Sequence, residues 1–132
     1  MGRRVDSAVP ILISAKDRPL YLWAALDSLY RYTHYPHRFT FLDMVSTDPE
    51  VRRVVAGFER RGMFDEVVWA EQNHPKVIWD TIWRIGAAGA PYLGYVESDV
   101  VIEPVKVCLL YRANALYNFG GIEGWLWACE GI

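Results

Sequence analysis

A chain of 132 residues, 52% of them hydrophobic and 14% aromatic, can bury one core, which excludes a chain that is disordered throughout. The net charge is −2, and Lys and Arg are scattered among the acids, which excludes the basic surface that nucleic-acid binding requires. No apolar run is long enough to span a membrane, and Cys108 and Cys129, in apolar surroundings without metal-type spacing, favour thiols in a reducing, cytoplasmic compartment.

The first strand and helix are predicted from an apolar run that stops at a charged turn. Residues 8–15 form the strand, and Asp17 is suited to cap the helix that Pro19 begins and that runs to about Tyr32. Three apolar residues at helical spacing, Leu22, Leu26 and Leu29, predict a buried stripe on this helix. Trp23 and Tyr30 lie beside the stripe.

The second unit repeats this pattern with a clearer helix start. Residues 39–45 predict a strand, Thr47 and Glu50 have capping-box spacing, and Gly62 ends the helix. The buried stripe consists of Val51, Val54, Val55 and Phe58.

A third strand is predicted at residues 66–70, and Asn73 and Pro75 begin the helix that follows it. One face of this helix carries Ile78, Ile82 and Ile85, and Trp79 and Trp83 each lie one position further along the chain.

The stretch from Pro91 to Pro104 carries the chemistry that the sequence indicates most strongly. An uncharged apolar run, typical of a strand buried on both faces, ends in Glu97, Ser98 and Asp99. Residues two apart in an extended segment point to one side, so Glu97 and Asp99 are suited to bind one divalent cation. The alternative is that these acids only mark where a buried strand meets water.

Beyond Pro104 the sequence predicts a last helix to about Tyr117, with Leu109, Ala113 and Leu116 on one face. Glycines then break any regular pattern, and Trp125 and Trp127 alternate as in a short strand or a flap. Because this tail is apolar and short, we expect the chain to form a homodimer through the tail or a sheet edge. The alternative is a tail that folds back onto its own sheet.

Alternating strands and helices predict one α/β domain of three layers, α/β/α, with a mostly parallel Rossmann-like sheet. If the first strand lies beside the fourth, Asp17 and Arg18 meet Glu97 and Asp99 in one cleft at a topological switch point. Such a cleft suits a diphosphate carried on a divalent metal.

Three ordered segments resemble the nucleotide-sugar-binding half of GT-A fold glycosyltransferases. They are VPILISAKDRPLYLWAALDSL, FTFLDMVSTD and APYLGYVESDVVIEP, and with the separations between them the resemblance extends over about the first 104 residues. The second is close to the V-D-x-x-S-T-D pattern of family 2, and the third is similar to the E-D-D segment of the N-acetylglucosaminyltransferase I type. The resemblance implies a metal-dependent transferase that uses a nucleotide-diphosphate sugar, with UDP as the expected nucleotide, and an unknown acceptor.

The resemblance also assigns roles to residues. Asp99 would ligate Mn²⁺ or Mg²⁺, with Glu97 supporting it, and Ser98 would reach the ribose or sugar. Asp17 and Arg18 lie where the family holds the nucleotide. The acid that contacts uracil is Asp43 in one alignment and Asp48 in the other. Lys76 and Asp80 lie on the helix that faces the diphosphate or donor sugar in such enzymes.

The chain departs from the family after residue 104. Residues 105–132 offer no acceptor half, and the only tail acids that could act as a catalytic base are Glu123 and Glu130. A non-catalytic nucleotide-sugar-binding or assembly module is therefore the alternative to an enzyme. A receiver domain and a nucleotidyltransferase are disfavoured, because neither paired acids nor a Gly-rich phosphate loop follows the first strand.

Overall fold

The computed structural model describes residues 8–34, 36–86 and 92–98, together with the backbone of strands within residues 106–131. Four strands alternate with three helices in the order β1 (Val9–Ala15), α1 (Pro19–Tyr32), β2 (His37–Asp43), α2 (Glu50–Arg60), β3 (Phe64–Trp69), α3 (Pro75–Gly86) and β4 (Tyr92–Glu97). The strands that follow are β5 (Lys106–Arg112), β6 (Asn118–Phe119), β7 (Ile122–Glu123) and β8 (Trp125–Gly131). In this part of the chain no helix is long and apolar enough to cross a membrane.

The large sheet has the strand order β3-β2-β1-β4-β5-β8, and β6 pairs with β7 separately. The first four strands are parallel, whereas β5 and β8 run antiparallel at one edge. The chain moves outward from β1 to β3 and then returns to place β4 on the other side of β1. This confirms the predicted α/β fold and the predicted neighbours β1 and β4, so the carboxyl ends of these two strands flank a switch point.

The helices cover both faces of the sheet with the apolar stripes that the sequence predicted. On one face α1 and α2 bury Leu22, Leu26, Leu29, Val51, Val55 and Phe58 against β1 and β2. On the other face Ile82 of α3 packs with Leu12, Leu42 and Leu93. Trp23 and Tyr30 are about half exposed, so the fully buried face of α1 does not include these two aromatic side chains.

Two predicted helix caps are wrong. The residue before α1 is Arg18, which has a left-handed backbone and no side-chain cap, because the Asp17 carboxylate bonds to another loop. At α2 the capping box of Thr47 and Glu50 does not form, and the Glu50 N–H donates to Asp48 Oδ1 at 2.9 Å. The predicted end of α2 is confirmed, since Gly62 adopts φ 73°.

The helix predicted after Pro104 is also wrong, because residues 106–112 form β5 beside β4. The run Lys106–Arg112 is short and almost wholly apolar, and such runs fit a buried helix or a strand equally well by periodicity. Pairing with β4 satisfies backbone groups that would otherwise be left open at a sheet edge. Residues 113–117, which the prediction also included, lie outside the described residues.

The tail folds back onto its own sheet, as the alternative had it. β8, which contains Trp125 and Trp127, pairs with β5 in the same chain, so the predicted strand there is confirmed. A homodimer was expected because this edge of the sheet would otherwise stay uncovered. Since β8 covers the edge of β5, that reason no longer applies, and the homodimer stays a prediction.

Candidate functional site

A cleft of about 500 Å³ opens at the carboxyl ends of β1 and β4. The end of β1 and its following loop form one wall, the end of β4 forms another, and the start of α3 closes a third side. The lining residues are Ser14, Ala15, Lys16, Asp17, Arg18, Met44, Asn73, Pro75, Ile78, Tyr95, Glu97 and Ser98. Ser14 and Glu97 are partners in the sheet register, so β1 and β4 together fix the floor of this cleft.

Four of the predicted site residues meet in this cleft although some eighty positions separate them in sequence, and they are Asp17, Arg18, Glu97 and Ser98. Arg18 and Glu97 are exposed, and Ser98 is buried. Asp99 lies outside the described residues. Lys16 adds a second exposed cation beside Arg18.

The other predicted residues do not line the cleft. Lys76 and Asp80 are exposed on α3 and pair with each other, Nζ to Oδ2, at 2.6 Å. Near the start of α3 the residues that line the cleft are instead Asn73, Pro75 and Ile78. Asp43 and Asp48 lie in or beside the loop that follows β2, and their contacts show what each carboxylate does.

Asp43 is buried, with 3% of its surface exposed, and it organises its own loop. Its Oδ2 accepts a hydrogen bond from the Ser46 N–H at 2.8 Å, and its Oδ1 accepts one from Ser46 Oγ at 2.5 Å. Ser46 Oγ in turn accepts the backbone N–H of Asp17 at 2.7 Å. The buried carboxylate therefore positions a hydroxyl group that anchors the loop after β1.

The Asp17 carboxylate makes a second set of bonds between the same two loops. Its Oδ1 accepts the backbone N–H groups of Thr47 at 2.7 Å and Asp48 at 2.9 Å. The bonds from Asp48 and Thr47 hold the pKa of Asp17 below its usual value, because they stabilise the charged carboxylate. We refer to Asp17, Asp43, Ser46, Thr47 and Asp48 as the loop latch, since their bonds join the loops after β1 and β2.

Backbone strain lies at the same loops. Asp17 (φ 54°), Arg18 (φ 53°) and Val45 (φ 62°) have left-handed backbones although none of them is glycine. Valine is especially unfavourable there because its branched Cβ crowds the backbone. Such conformations persist only where surrounding contacts enforce them, and the loop latch supplies those contacts.

A hydrogen-bonded tyrosine occupies the floor of the cleft. Tyr95 Oη and Ser14 Oγ are 2.9 Å apart and share a hydrogen bond. Burial raises the pKa of Tyr95, and the negative charge of Glu97 raises it further, whereas the hydrogen bond with Ser14 opposes the shift. Tyr95 is therefore neutral at pH 7.

The sequence reasoning missed Ser14, Asn73 and Tyr95 as residues of the cleft. Tyr95 had a usable signal, because it stands two positions before Glu97 in a strand and must share its side of the sheet. Ser14 pairs with Glu97 across the sheet, and this follows only from the register.

Within the described side chains, no group of three His, Cys, Asp or Glu residues is placed to hold a metal ion. Glu97 contributes one carboxylate to the cleft. Mg²⁺ is commonly bound by one or two carboxylates together with waters and substrate phosphates, so the donor set fits a cation that arrives with a diphosphate.

Comparison with known proteins supports the fold. No protein-family model matches the chain, and no curated protein matches its sequence. Among solved structures it is similar to the crystal structure of S. aureus TarS 1-349, a glycosyltransferase, with a TM-score of 0.53 and 19% identity. The match covers 73% of this chain and 29% of the TarS chain. The chain has a Rossmann-like α/β fold that it shares with this part of TarS.

Proposed function

We propose that the chain binds a nucleotide-diphosphate sugar, with UDP as the nucleotide, and takes part in transferring that sugar to an acceptor. The observation that carries the proposal is the cleft between β1 and β4, where two cations and two carboxylates converge at a switch point of the sheet. Ligands of open α/β sheets bind at such points. The similarity to a glycosyltransferase fold favours a sugar nucleotide over other phosphate ligands.

The charges of the cleft suit a diphosphate that carries a divalent cation. Lys16 and Arg18 stand at the end of β1 and offer positive charge to phosphate oxygens. Glu97 would repel the same phosphates unless a cation lay between them. Glu97, with Asp99, would hold Mn²⁺ or Mg²⁺, and the cation would offset the charge of the leaving diphosphate.

For the base of the nucleotide we favour Asp48 over Asp43. Both carboxylate oxygens of Asp43 accept bonds from Ser46, and burial of this side chain restricts access to them. Asp48 is only partly buried and uses Oδ1 for the Glu50 N–H. Asp17 then serves the site mainly by holding the loop that carries Arg18.

The second candidate is a nucleotide-sugar-binding module that does not transfer sugar. The structural match spans less than a third of the TarS chain, so the likeness by itself does not extend to sugar transfer. Both candidates require nucleotide binding. They differ in one measurement, which is release or transfer of the sugar from a UDP-sugar when candidate acceptors are supplied.

Titration calorimetry with UDP tests the shared step. We expect binding in the presence of Mn²⁺ and a large loss of affinity in excess EDTA. Glu97→Gln should remove most of this metal dependence, whereas Asp80→Asn, an exposed acid outside the cleft, should leave it unchanged. Arg18→Ala should weaken binding by about 10- to 150-fold, since a charged hydrogen bond contributes about 1.5–3 kcal/mol. Lys76→Ala is its matched control.

Two results would contradict the proposal. Equal affinity for UDP with Mn²⁺ and with EDTA would remove the metal from the site. A loss of binding in Asp80→Asn as large as in Glu97→Gln would show that the cleft is not where the nucleotide binds.

A further inference from the structure

The two cysteines of the chain are direct partners in the sheet. β5 and β8 pair antiparallel without a register shift from Lys106 opposite Gly131 to Arg112 opposite Trp125, and this register sets Cys108 opposite Cys129. The chain contains no other cysteine. Twenty residues separate the two in sequence, so the fold and not local proximity creates the pair.

Strand geometry brings such partners within reach of a covalent bond. Cα atoms of directly opposed residues in an antiparallel pair are about 4.5–5.5 Å apart, and the two residues lie on the same side of the sheet. Disulfides join Cα atoms that are about 4.4–6.8 Å apart. Residues one position away along either strand belong to the opposite side, so the register decides whether a bond can form.

The pair also lies toward the end of the sheet that holds the cleft. Gly94 of β4 pairs with Leu109 of β5, and Cys108 follows Leu109 in the direction of the carboxyl end of β4. A bond between Cys108 and Cys129 would join the edge strand β8 to β5, which lies beside the strand that carries Glu97. It would close the part of the chain that lies between β5 and β8.

We propose that Cys108 and Cys129 form a site of reversible oxidation that closes to a cross-strand disulfide. With oxidised glutathione as the oxidant, one cysteine thiolate attacks its disulfide and releases one glutathione thiol. The second cysteine thiolate then attacks the mixed disulfide and releases the other. Two protein thiols are oxidised, one glutathione disulfide is reduced to two thiols, and the two protons pass to the glutathione thiolates.

This inference refines the expectation of two inert thiols and is independent of the proposed nucleotide site. A reducing compartment keeps the pair as thiols, and an oxidising one closes it. Because opposed Cβ atoms in a sheet are about 4.5–5.5 Å apart, at or beyond the upper limit of disulfide geometry, the bond should be reduced readily in the native protein.

The test uses the purified full chain, folded, with oxidised glutathione. After denaturation, a polyethylene-glycol maleimide counts the remaining thiols, and mass spectrometry of the intact chain reports the product. We expect a monomer that has lost two hydrogen atoms and both reactive thiols, and that regains both thiols in dithiothreitol without denaturant. Cys108→Ser and Cys129→Ser should each give a mixed disulfide with glutathione instead.

A relocated cysteine is the matched control. Ala128→Cys combined with Cys129→Ser moves the second thiol one residue along β8, opposite Leu109 and on the other side of the sheet. We expect its effective concentration toward Cys108 to fall at least about tenfold. The proposal is overturned if the native chain yields two mixed disulfides or disulfide-linked dimers, or if the relocated pair closes as readily as the native one.

Discussion

Gly94 sets the spacing of the two strands that form the cleft, and a single methyl group there should disturb it. It stands directly opposite Ile11 in the register of β1 and β4. A Cβ atom at Gly94 would lie 3.0 Å from Ile11 Cγ1 and 3.3 Å from Cγ2. Carbon atoms prefer about 3.5–4.0 Å, and Ile11, with 2% exposure, has no space into which to move.

We therefore expect Gly94→Ala to lower the free energy of unfolding by about 1–3 kcal/mol, the usual cost of overpacking a core. Urea denaturation followed by tryptophan fluorescence measures it. Ile11→Ala alone should cost about 2–5 kcal/mol through the cavity it leaves. The double variant should be more stable than the sum of the two losses predicts by at least about 1 kcal/mol, since alanine at position 11 removes both clashing atoms.

Gly57→Ala is the control for the general effect of replacing glycine by alanine. Gly57 lies within α2, where a Cβ would meet only Arg60 Nη2, at 3.9 Å. This change should stabilise the chain by about 0.5–1 kcal/mol, because glycine is a poor helix former. If Gly94→Ala is as stable as the wild type, or if its loss adds fully to that of Ile11→Ala, close contact between β1 and β4 is not what requires glycine.

Three further changes test the loops and the floor of the cleft. Val45→Asn should raise the free energy of unfolding by about 1 kcal/mol in urea denaturation, because asparagine tolerates φ 62° better than valine. A lower free energy of unfolding would show that the contacts of the valine side chain outweigh this strain. The pKa of Asp17 is lowered by bonds from Asp48 and Thr47, so its stabilising effect is present above the usual pKa of an aspartate and is lost as the pH falls through the lowered value. Asp17→Asn should flatten stability against pH below about pH 4, and an unchanged acid limb would contradict this. Burial raises the pKa of Tyr95, so its contribution to the free energy of unfolding is present below the unfolded pKa near 10 and is lost as the pH rises through the raised value. Tyr95→Phe should therefore flatten the alkaline limb of the curve of stability against pH.

The sequence predicted the elements whose hydrophobic pattern decides their structure. Three helices carry apolar stripes at helical spacing, and all three form within a few residues of the predicted bounds. The position of β4 beside β1 was the condition on which the predicted site depended, and right-handed connections with helices on both faces of the sheet require a switch point of this kind. The structure meets this condition, and Arg18 and Glu97 lie in one cleft.

Two of the failures share a physical cause, which is competition from partners that lie outside the local sequence. Asp17 has the right place to cap α1, but the N–H groups of Thr47 and Asp48 offer it two bonds at once. The run Lys106–Arg112 fits a helix or a strand equally well by periodicity, but pairing with β4 satisfies backbone groups that would otherwise be open at a sheet edge. Local sequence contains neither of these partners.

The loop latch shows why acids at strand ends are ambiguous signals of function. Asp17 and Asp43 both follow the pattern of nucleotide-binding acids, yet Asp17 accepts N–H groups of the loop after β2 and Asp43 accepts the N–H and O–H groups of Ser46 in its own loop. Ser46 links the two, because its hydroxyl donates to Asp43 and accepts from the Asp17 N–H. The rim of the cleft is therefore formed before any ligand arrives, and the conformational entropy of these loops is lost during folding and not during binding. An acid that orders such a rim also affects affinity, so loss of binding after substitution does not by itself distinguish it from an acid that touches the ligand.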